Sequence, residues 1–274
     1  MSAPPSIRAF IAGVSGSGKS VSAWSMYLSR FPRRILIDQT GEWTDPARYP
    51  RAPGRPGYPG ADFTVQTVPE LSWAIHKLAP TGRWTIVCEL DLDDLPELVD
   101  YLIPVPDLSS SPIYACHGAV LLADEVDLIA PPRSLRQEVR TLYRRSRHVG
   151  LSIVSTTQRP EAVSREVSAQ SSQVLCLALA EPSAYDYMSA LMGMEIEEYL
   201  EGWTRRHPHG GLWLNRETGV KRWVTEAGAL VEPAAPALAA EPAREAPVAR
   251  EPAREPSVSG HDGAEPAEPE PDPE

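Results

Sequence analysis

Residues 7–20 read IRAFIAGVSGSGKS, and the last eight fit the pattern G-x-x-x-x-G-K-[ST]. The mostly apolar run 7–14 predicts a strand, and residues 20–30 predict a helix after the glycine-rich turn. Glycines let backbone N–H groups point at an anion, and the N-terminus of the following helix favours negative charge. The context therefore favours a phosphate-binding loop over a chance glycine-rich turn. The residues expected to bind the phosphates are Gly13, Ser15, Gly16, Ser17, Gly18, Lys19, Ser20 and Val21.

A second motif, AVLLADE at 119–125, is an apolar strand that ends in two carboxylates. In the phosphate loop, Lys19 can reach the β- and γ-phosphates of ATP, and the Ser20 hydroxyl can bind Mg²⁺. We expect Asp124 to hold the Mg²⁺ shell through water and Glu125 to accept a proton from the attacking water. Alone, this pair could be a solvated acidic turn. Together with the phosphate loop it favours hydrolysis over phosphoryl transfer to a small substrate.

The rest of the chain, up to residue 231, reads as alternating strands and helices, which predicts a mostly parallel α/β sheet. Further strands are predicted at 34–38, 84–90, 119–123, 151–155 and 173–179. Helices are predicted at 69–78, 95–102, 134–147, 161–170 and 182–192. Residues 211–224 predict a hairpin that turns near Thr218 and Gly219, and the Pro/Gly-rich residues 46–62 predict a long loop.

Composition excludes several classes of protein. The 274 residues carry 26 Lys+Arg and 37 Asp+Glu, a net charge of -11, which rules out a uniformly basic nucleic-acid coat. Three widely spaced cysteines make neither a disulfide framework nor a zinc site. Neither a membrane-spanning run nor a signal peptide is recognisable. These features predict an intracellular protein without an integral membrane segment.

The composition changes after Val231, which predicts a folded domain at 1–231 and a disordered tail at 232–274. The tail is rich in proline, glutamate and alanine, and it has too few large apolar side chains to offset its ordering entropy. We favour a solubilising role for it. An acidic arm that docks on a basic partner is the alternative.

Two further stretches complete a set of four with the motifs above. Residues 36–43 read LIDQTGEW, and residues 147–160 read RHVGLSIVSTTQRP. Together the four stretches resemble the FtsK/HerA superfamily of ring-forming DNA-pumping ATPases over most of residues 8–180. The resemblance implies a P-loop NTPase fold of the RecA/FtsK-like ASCE type, with the sheet flanked by helices.

The resemblance also implies roles for single residues. Gln158 matches the polar sensor that contacts the γ-phosphate or the water; capping the next helix is the alternative. Arg147, or else Arg144, matches a finger that reaches the nucleotide of the neighbouring subunit, although both could belong to a solvated helix face. Asp38 and Glu42 either frame the site or are a satisfied strand-end aspartate and a turn glutamate.

The chain departs from several known members of the superfamily. It shows no N-terminal barrel, no membrane spans and no winged-helix module, and in this it resembles the genome-packaging ATPases of tailless, membrane-containing icosahedral phages. That resemblance implies a homo-oligomeric ring, expected to be a hexamer, that hydrolyses ATP with Mg²⁺. The ring would move double-stranded DNA into a preformed capsid, with a capsid vertex or portal protein as partner. The expected location is the host cytoplasm, with association to the virion.

Other functions remain open from the sequence. One is a Zot-like secretion or morphogenesis ATPase that acts on protein or single-stranded DNA at a membrane. Another is a HerA- or conjugation-type DNA-pumping ATPase of a mobile element. A third is a slow nucleotide switch, which does not need the full hydrolytic set of Glu125 and Gln158.

Overall fold

A computed structural model describes residues 6–45, 57–103, 116–226 and 228–232. Ten strands within these residues form one sheet: β1 (Arg8–Ala12), β2 (Arg33–Ile37), β3 (Phe63–Val65), β4 (Trp84–Cys88), β5 (Val120–Ala123), β6 (Ser152–Thr157), β7 (Gln173–Cys176), β8 (Gly211–Asn215), β9 (Lys221–Val224) and β10 (Leu230–Val231). Their order across the sheet is β10-β9-β8-β7-β1-β6-β5-β2-β4-β3. Strands β7 to β3 in this order are parallel, and β8 to β10 extend the sheet in antiparallel pairing beside β7. The expected mostly parallel α/β sheet and the C-terminal hairpin are confirmed.

Helices cover both faces of the sheet: α1 (Lys19–Ser22), α2 (Val68–Leu78), α3 (Leu95–Leu102), α4 (Gln137–Arg145), α5 (Arg165–Gln170), α6 (Pro182–Met192) and α7 (Glu197–Thr204). Successive residues of a strand point to opposite faces, and β1 shows this clearly. Phe10 packs in the core under α2 to α6, whereas Ile11 packs under the helical segment that starts at Lys19. The parallel strands are therefore apolar on both faces, as their sequences indicate.

Most predicted elements are present, with ends that differ by a few residues. Helices α3 and α6 have the predicted bounds. The predicted helix 20–30 is helical but not uniform, because α1 continues as a π-helix over Ala23–Tyr27 and a 3-10 turn over Leu28–Arg30. Nearly every side chain of the π-helical turn is buried. A regular amphipathic α-helix, in contrast, buries only the side chains on one face.

The predicted helix 161–170 is wrong at its start. A 3-10 turn covers Pro160–Ala162, and α5 begins only at Arg165. Ser164 separates the two, because its hydroxyl accepts a hydrogen bond from the Glu166 N–H while its own N–H donates to the Ala130 carbonyl. A side chain that caps a helix and a backbone bonded to another segment both stop the helix from extending backwards.

Among the strands and α-helices that the structure describes, three were missed from the sequence: β3, β10 and α7. The two strands are too short to show a period of two, and α7 buries only Leu200 and contains Gly202, so its apolar pattern is weak. The predicted tail beyond residue 232 and residues 46–56 of the predicted loop lie outside the described residues, so both stay predictions. Among the described helices, none is both long and apolar enough to cross a bilayer.

Candidate active site

The predicted phosphate loop connects β1 to α1 at the carboxyl edge of the parallel strands. Its backbone is tied to the ends of both neighbouring strands: Gly13 N–H donates to Thr157 O at 3.1 Å, and Val14 N–H donates to Ala178 O at 2.8 Å. Because these partners follow or end β6 and β7, the sheet order itself sets the position of the loop.

Glycine is required at particular points of the loop. Gly16 and Gly18 have φ values of 76° and 93°, in the region that favours glycine. At Gly13 the reason is space, since a Cβ there would lie 2.6 Å from Ser17 Oγ and 2.8 Å from Leu177 Cβ. The tight turn therefore depends on small residues and on close packing against the chain after β7.

Lys19 lies inside the site and is only 7% exposed. Its Nζ donates to Val14 O at 3.2 Å and lies 4.0 Å from Glu125 Oε1. Burial lowers the pKa of Lys19, while the carboxylates of Glu125 and Asp124 raise it. The ammonium thus sits between the loop and the end of β5, where it can neutralise a bound phosphate.

Asp124, directly after β5, is 3% exposed and is held by two hydrogen bonds. The Thr156 hydroxyl donates to Oδ1, and the Trp43 indole N–H donates to Oδ2 at 2.8 Å. Burial raises the pKa of Asp124 to about 6, although both hydrogen bonds lower it. Each carboxylate oxygen can accept a further hydrogen bond, so the group is able to bind the water shell of a Mg²⁺ ion.

Glu125 has an uncommon backbone conformation, with φ of 47°. A non-glycine residue in this region is strained, and such strain is often found at functional sites. Two contacts hold the side chain: Gln158 Nε2 donates to Oε1 at 2.7 Å, and Gln158 N–H approaches Oε2 at 3.3 Å. Thr156 Oγ1 accepts a hydrogen bond from the Glu125 N–H at 3.3 Å.

Gln158 follows β6, and β6 lies between β1 and β5. The sequence-predicted residues Lys19, Asp124, Glu125 and Gln158 therefore come together at one edge of the sheet. Gln158 does not cap the following 3-10 turn Pro160–Ala162, whose N-cap residue is Arg159 and which has no side-chain cap. Its amide instead faces the carboxylate that we expect to act as a base.

The two arginines proposed as fingers are not part of this cluster. Arg144 is exposed near the end of α4 and pairs with Glu166 at 3.1 Å. Arg147 is exposed in the turn before β6, and its charge contributes to lowering the pKa of Arg8, after burial. The turn Ser146–Val149 precedes the amino end of β6, so Arg147 lies at the opposite edge of the sheet from the phosphate loop.

The two alternatives for Asp38 can now be compared. Asp38 is buried, and its Oδ1 accepts the N–H groups of Thr40 at 3.1 Å and Glu42 at 3.2 Å. Its Oδ2 accepts the Trp43 N–H at 2.6 Å. Asp38 is thus a satisfied strand-end aspartate that shapes a turn, and through this turn it places the Trp43 indole against Asp124.

Sequence reasoning missed three contributors to the site. Trp43 was visible only as the aromatic end of the 36–43 stretch. Asp127 accepts a hydrogen bond from Thr157 Oγ1 at 2.8 Å and pairs with Arg159 at 3.6 Å. His209 contacts the phosphate loop, since a Cβ on Gly18 would lie 3.2 Å from His209 Cβ. No local signal marks this histidine, which the sequence places in an ordinary loop.

No protein-family model and no curated protein matches this sequence. Solved structures do match. The genome packaging NTPase B204 from Sulfolobus turreted icosahedral virus 2, in complex with sulfate, has a TM-score of 0.58 at 15% identity, over 80% of this chain and 96% of that chain. Its complex with ATP-gammaS has a TM-score of 0.55 at 15% identity, over 80% and 97%.

The N-terminal domain of zonular occludens toxin from Neisseria meningitidis matches with a lower TM-score of 0.40, at 16% identity, over 84% of this chain and 100% of that chain. The B204 matches span four fifths of this chain. The chain thus shares the P-loop NTPase fold of these B204 structures, and the fold class expected from the sequence is confirmed.

Proposed function

We propose that this protein hydrolyses ATP to drive double-stranded DNA into a preformed viral capsid, and that it acts as a homo-oligomeric ring, expected to be a hexamer. The observation that carries the proposal is the placement of Glu125 between the Gln158 amide and the Lys19 ammonium, beside the phosphate loop. A carboxylate so held can act as a general base on a water next to the γ-phosphate.

Each side chain then has a defined task. The loop N–H groups and Lys19 bind the β- and γ-phosphates, and Glu125 takes the proton of the attacking water. Gln158 orients that water and the base, because an amide can do so without titrating. Ser20 and Asp124 would hold Mg²⁺, which neutralises charge that develops on the phosphate oxygens.

The fold supports the proposed coupling to DNA, because the genome packaging NTPase B204 has the same fold over four fifths of this chain. In a ring, a nucleotide bound between subunits can be read by an arginine of the neighbour, and Arg147, or Arg144, is the residue we assign to this role. Its position away from its own phosphate loop agrees with action in trans. A capsid vertex or portal protein is the expected partner, in the host cytoplasm or at the virion.

The test is ATP hydrolysis with and without linear double-stranded DNA, for the unaltered protein and for Glu125→Gln. We expect DNA to stimulate hydrolysis, and Glu125→Gln to lower kcat by about 10²- to 10⁴-fold. The matched control is Glu198→Gln, at an exposed position on α7, which is expected to leave turnover unchanged. Stimulation is also expected to weaken as salt rises, because phosphate contacts release counterions.

The other outcomes separate the alternatives. Basal hydrolysis without any DNA response would favour a protein-handling ATPase of the Zot-like kind. DNA stimulation without capsid partners in the source genome would favour a HerA- or conjugation-type pump. Hydrolysis that does not depend on Glu125 would overturn the proposed chemistry of the site.

A further inference from the structure

The carboxylate of Asp124 is held at both of its oxygens. Thr156, on the neighbouring strand β6, donates to Oδ1. Trp43 donates its indole N–H to Oδ2 at 2.8 Å, although it lies 81 residues away along the chain. With one hydrogen bond on each oxygen, the carboxylate has a single preferred orientation within the buried site.

The backbone of Trp43 is held by hydrogen bonds at both its N–H and its carbonyl group. Its N–H donates to Asp38 Oδ2 at 2.6 Å, and its carbonyl accepts the Tyr58 hydroxyl at 2.9 Å. The side chain is completely buried. Strand β2, which ends just before Asp38, lies next to β5, with Ile37 opposite Ala123. The turn after β2 and the surrounding core therefore hold the indole in one orientation.

A second tryptophan in the same aromatic cluster shows what the Trp43 N–H adds. Trp24 and Trp43 both pack edge-on against Tyr58, at centroid distances of 4.9 and 5.3 Å. The Trp24 indole N–H is buried with no hydrogen-bond partner among the described residues. Packing in this cluster thus tolerates an indole N–H without a hydrogen bond. The hydrogen bond from Trp43 to Asp124 is therefore not a requirement of packing a tryptophan in this cluster.

We propose that Trp43 is a positioning residue for the metal-binding carboxylate, and that its indole N–H holds Asp124 in the orientation that receives the Mg²⁺ shell. This inference rests on the proposed function, because it takes Asp124 as the residue that holds Mg²⁺. Partners that orient a metal-binding group typically change metal affinity by 10- to 100-fold when they are removed.

The experiment compares Trp43→Phe with Trp24→Phe in the full chain, both in the Glu125→Gln background that prevents turnover. ATP binding is measured in EDTA and over a range of Mg²⁺ concentrations. For Trp43→Phe we expect the half-saturating Mg²⁺ concentration to rise about tenfold, while ATP binding in EDTA stays unchanged. For Trp24→Phe, which removes an unbonded indole from the same cluster, we expect neither value to change.

Two results would overturn the inference. One is a Mg²⁺ dependence of Trp43→Phe equal to that of Trp24→Phe. The other is that Trp43→Phe weakens ATP binding in EDTA as much as it weakens ATP binding with Mg²⁺, which would indicate general damage to the site. If the Glu125→Gln parent binds no ATP at all, the proposed function itself fails, and the failure is thereby distinguished from one at Trp43.

A measurement on Trp43 itself covers the case in which Trp43→Phe does not fold. The Trp43 indole N–H resonance can be assigned in the Glu125→Gln chain from its proximity to Thr156, since both bond to the same carboxylate. We expect this resonance to shift when Mg²⁺ is added to the ATP-bound protein and not when ATP is added in EDTA. A resonance that ignores Mg²⁺ would contradict the inference.

Discussion

At the scale of a residue, the buried carboxylate of Asp124 lowers the stability of the folded protein. Its burial raises the pKa of the carboxyl from its ordinary value of 3.8 to about 6, and the nearby carboxylates of Glu125 and Asp38 add to the effect. Above that pH the folded chain contains a buried anion that two hydrogen bonds stabilise only in part. Such a group is suited to a cation and is costly without one.

Asp124→Asn is therefore expected to stabilise the protein in the absence of nucleotide and Mg²⁺. The folded carboxyl keeps its proton between pH 4 and 6 while the unfolded one releases it, so this group lowers the free energy of unfolding as pH rises through that window. The rise in pKa corresponds to about 3 kcal/mol at pH 8. An asparagine can present its carbonyl to Trp43 and its amide N–H to Thr156. The check is the melting temperature of both proteins at pH 8 and pH 5.

The expected gain in melting temperature is several degrees at pH 8 and smaller at pH 5. Asp127→Asn is the control, because Asp127 lies three residues further along the chain and bonds to Thr157 and Arg159 instead of Thr156 and Trp43. It is expected to bring no gain. An Asp124→Asn protein that melts below the unaltered one at pH 8 would show that the carboxylate carries no such cost.

At the scale of an element, the antiparallel strands are joined tightly to the phosphate loop. Gly211 begins β8, and a Cβ there would lie 2.3 Å from the carbonyl oxygen of Cys176 at the end of β7. The residue two positions further along, Ala178, accepts the hydrogen bond of Val14. Strain at the start of β8 should thus be felt in the loop that binds the phosphates.

Gly211→Ala is expected to destabilise the protein by about 1–3 kcal/mol, since the contacted atom belongs to the backbone and cannot move aside. ATP binding should weaken as well. The control is Gly202→Ala in helix α7, where a Cβ meets nothing within 4 Å. That change should stabilise the helix by up to about 1 kcal/mol. Thermal unfolding with and without ATP measures both effects, and equal melting temperatures for the two variants would contradict this account.

At the scale of the whole molecule, the described chain holds Glu125, Lys19 and Gln158 at one edge of the sheet. The arginines proposed as fingers, Arg144 and Arg147, lie elsewhere. An Arg144 or Arg147 that acts on a nucleotide would therefore act on that of a neighbouring subunit. This separation is what the proposed ring requires of a finger that acts in trans.

A mixing experiment tests this directly. Arg147→Ala and Glu125→Gln are each expected to lower kcat strongly, the first by up to about 10³-fold or more if the finger acts as in other phosphoryl-transfer enzymes. Mixed in equal amounts, the two should recover turnover, because an intact Glu125 in one subunit then meets an intact Arg147 in the next. If Arg147→Ala alone has normal turnover, the same mixing test applies to Arg144→Ala. Failure of both mixtures to recover activity would contradict action in trans.

The phosphate loop and the Asp124–Glu125 strand end were predictable from the residues themselves, as were most strands and helices, whereas Gln158 was singled out only by the family resemblance. These features depend on short-range physics: glycines that permit a tight turn, apolar runs that form buried strands, and polar residues at strand ends. Helices α3 and α6 were predicted with their observed bounds, and each has a proline in its first turn, a position that favours the start of a helix.

Only the tertiary structure decided how these parts meet. It placed β6 between β1 and β5, so that Gln158 faces Glu125, and it set the Trp43 indole on Asp124 and His209 on Gly18. It also put Arg147 at the far edge of the sheet. Contacts between distant segments depend on strand order and on the packing of the whole core, which no local pattern encodes. The sequence by itself determined which groups could do the chemistry, and the fold decided which of them touch.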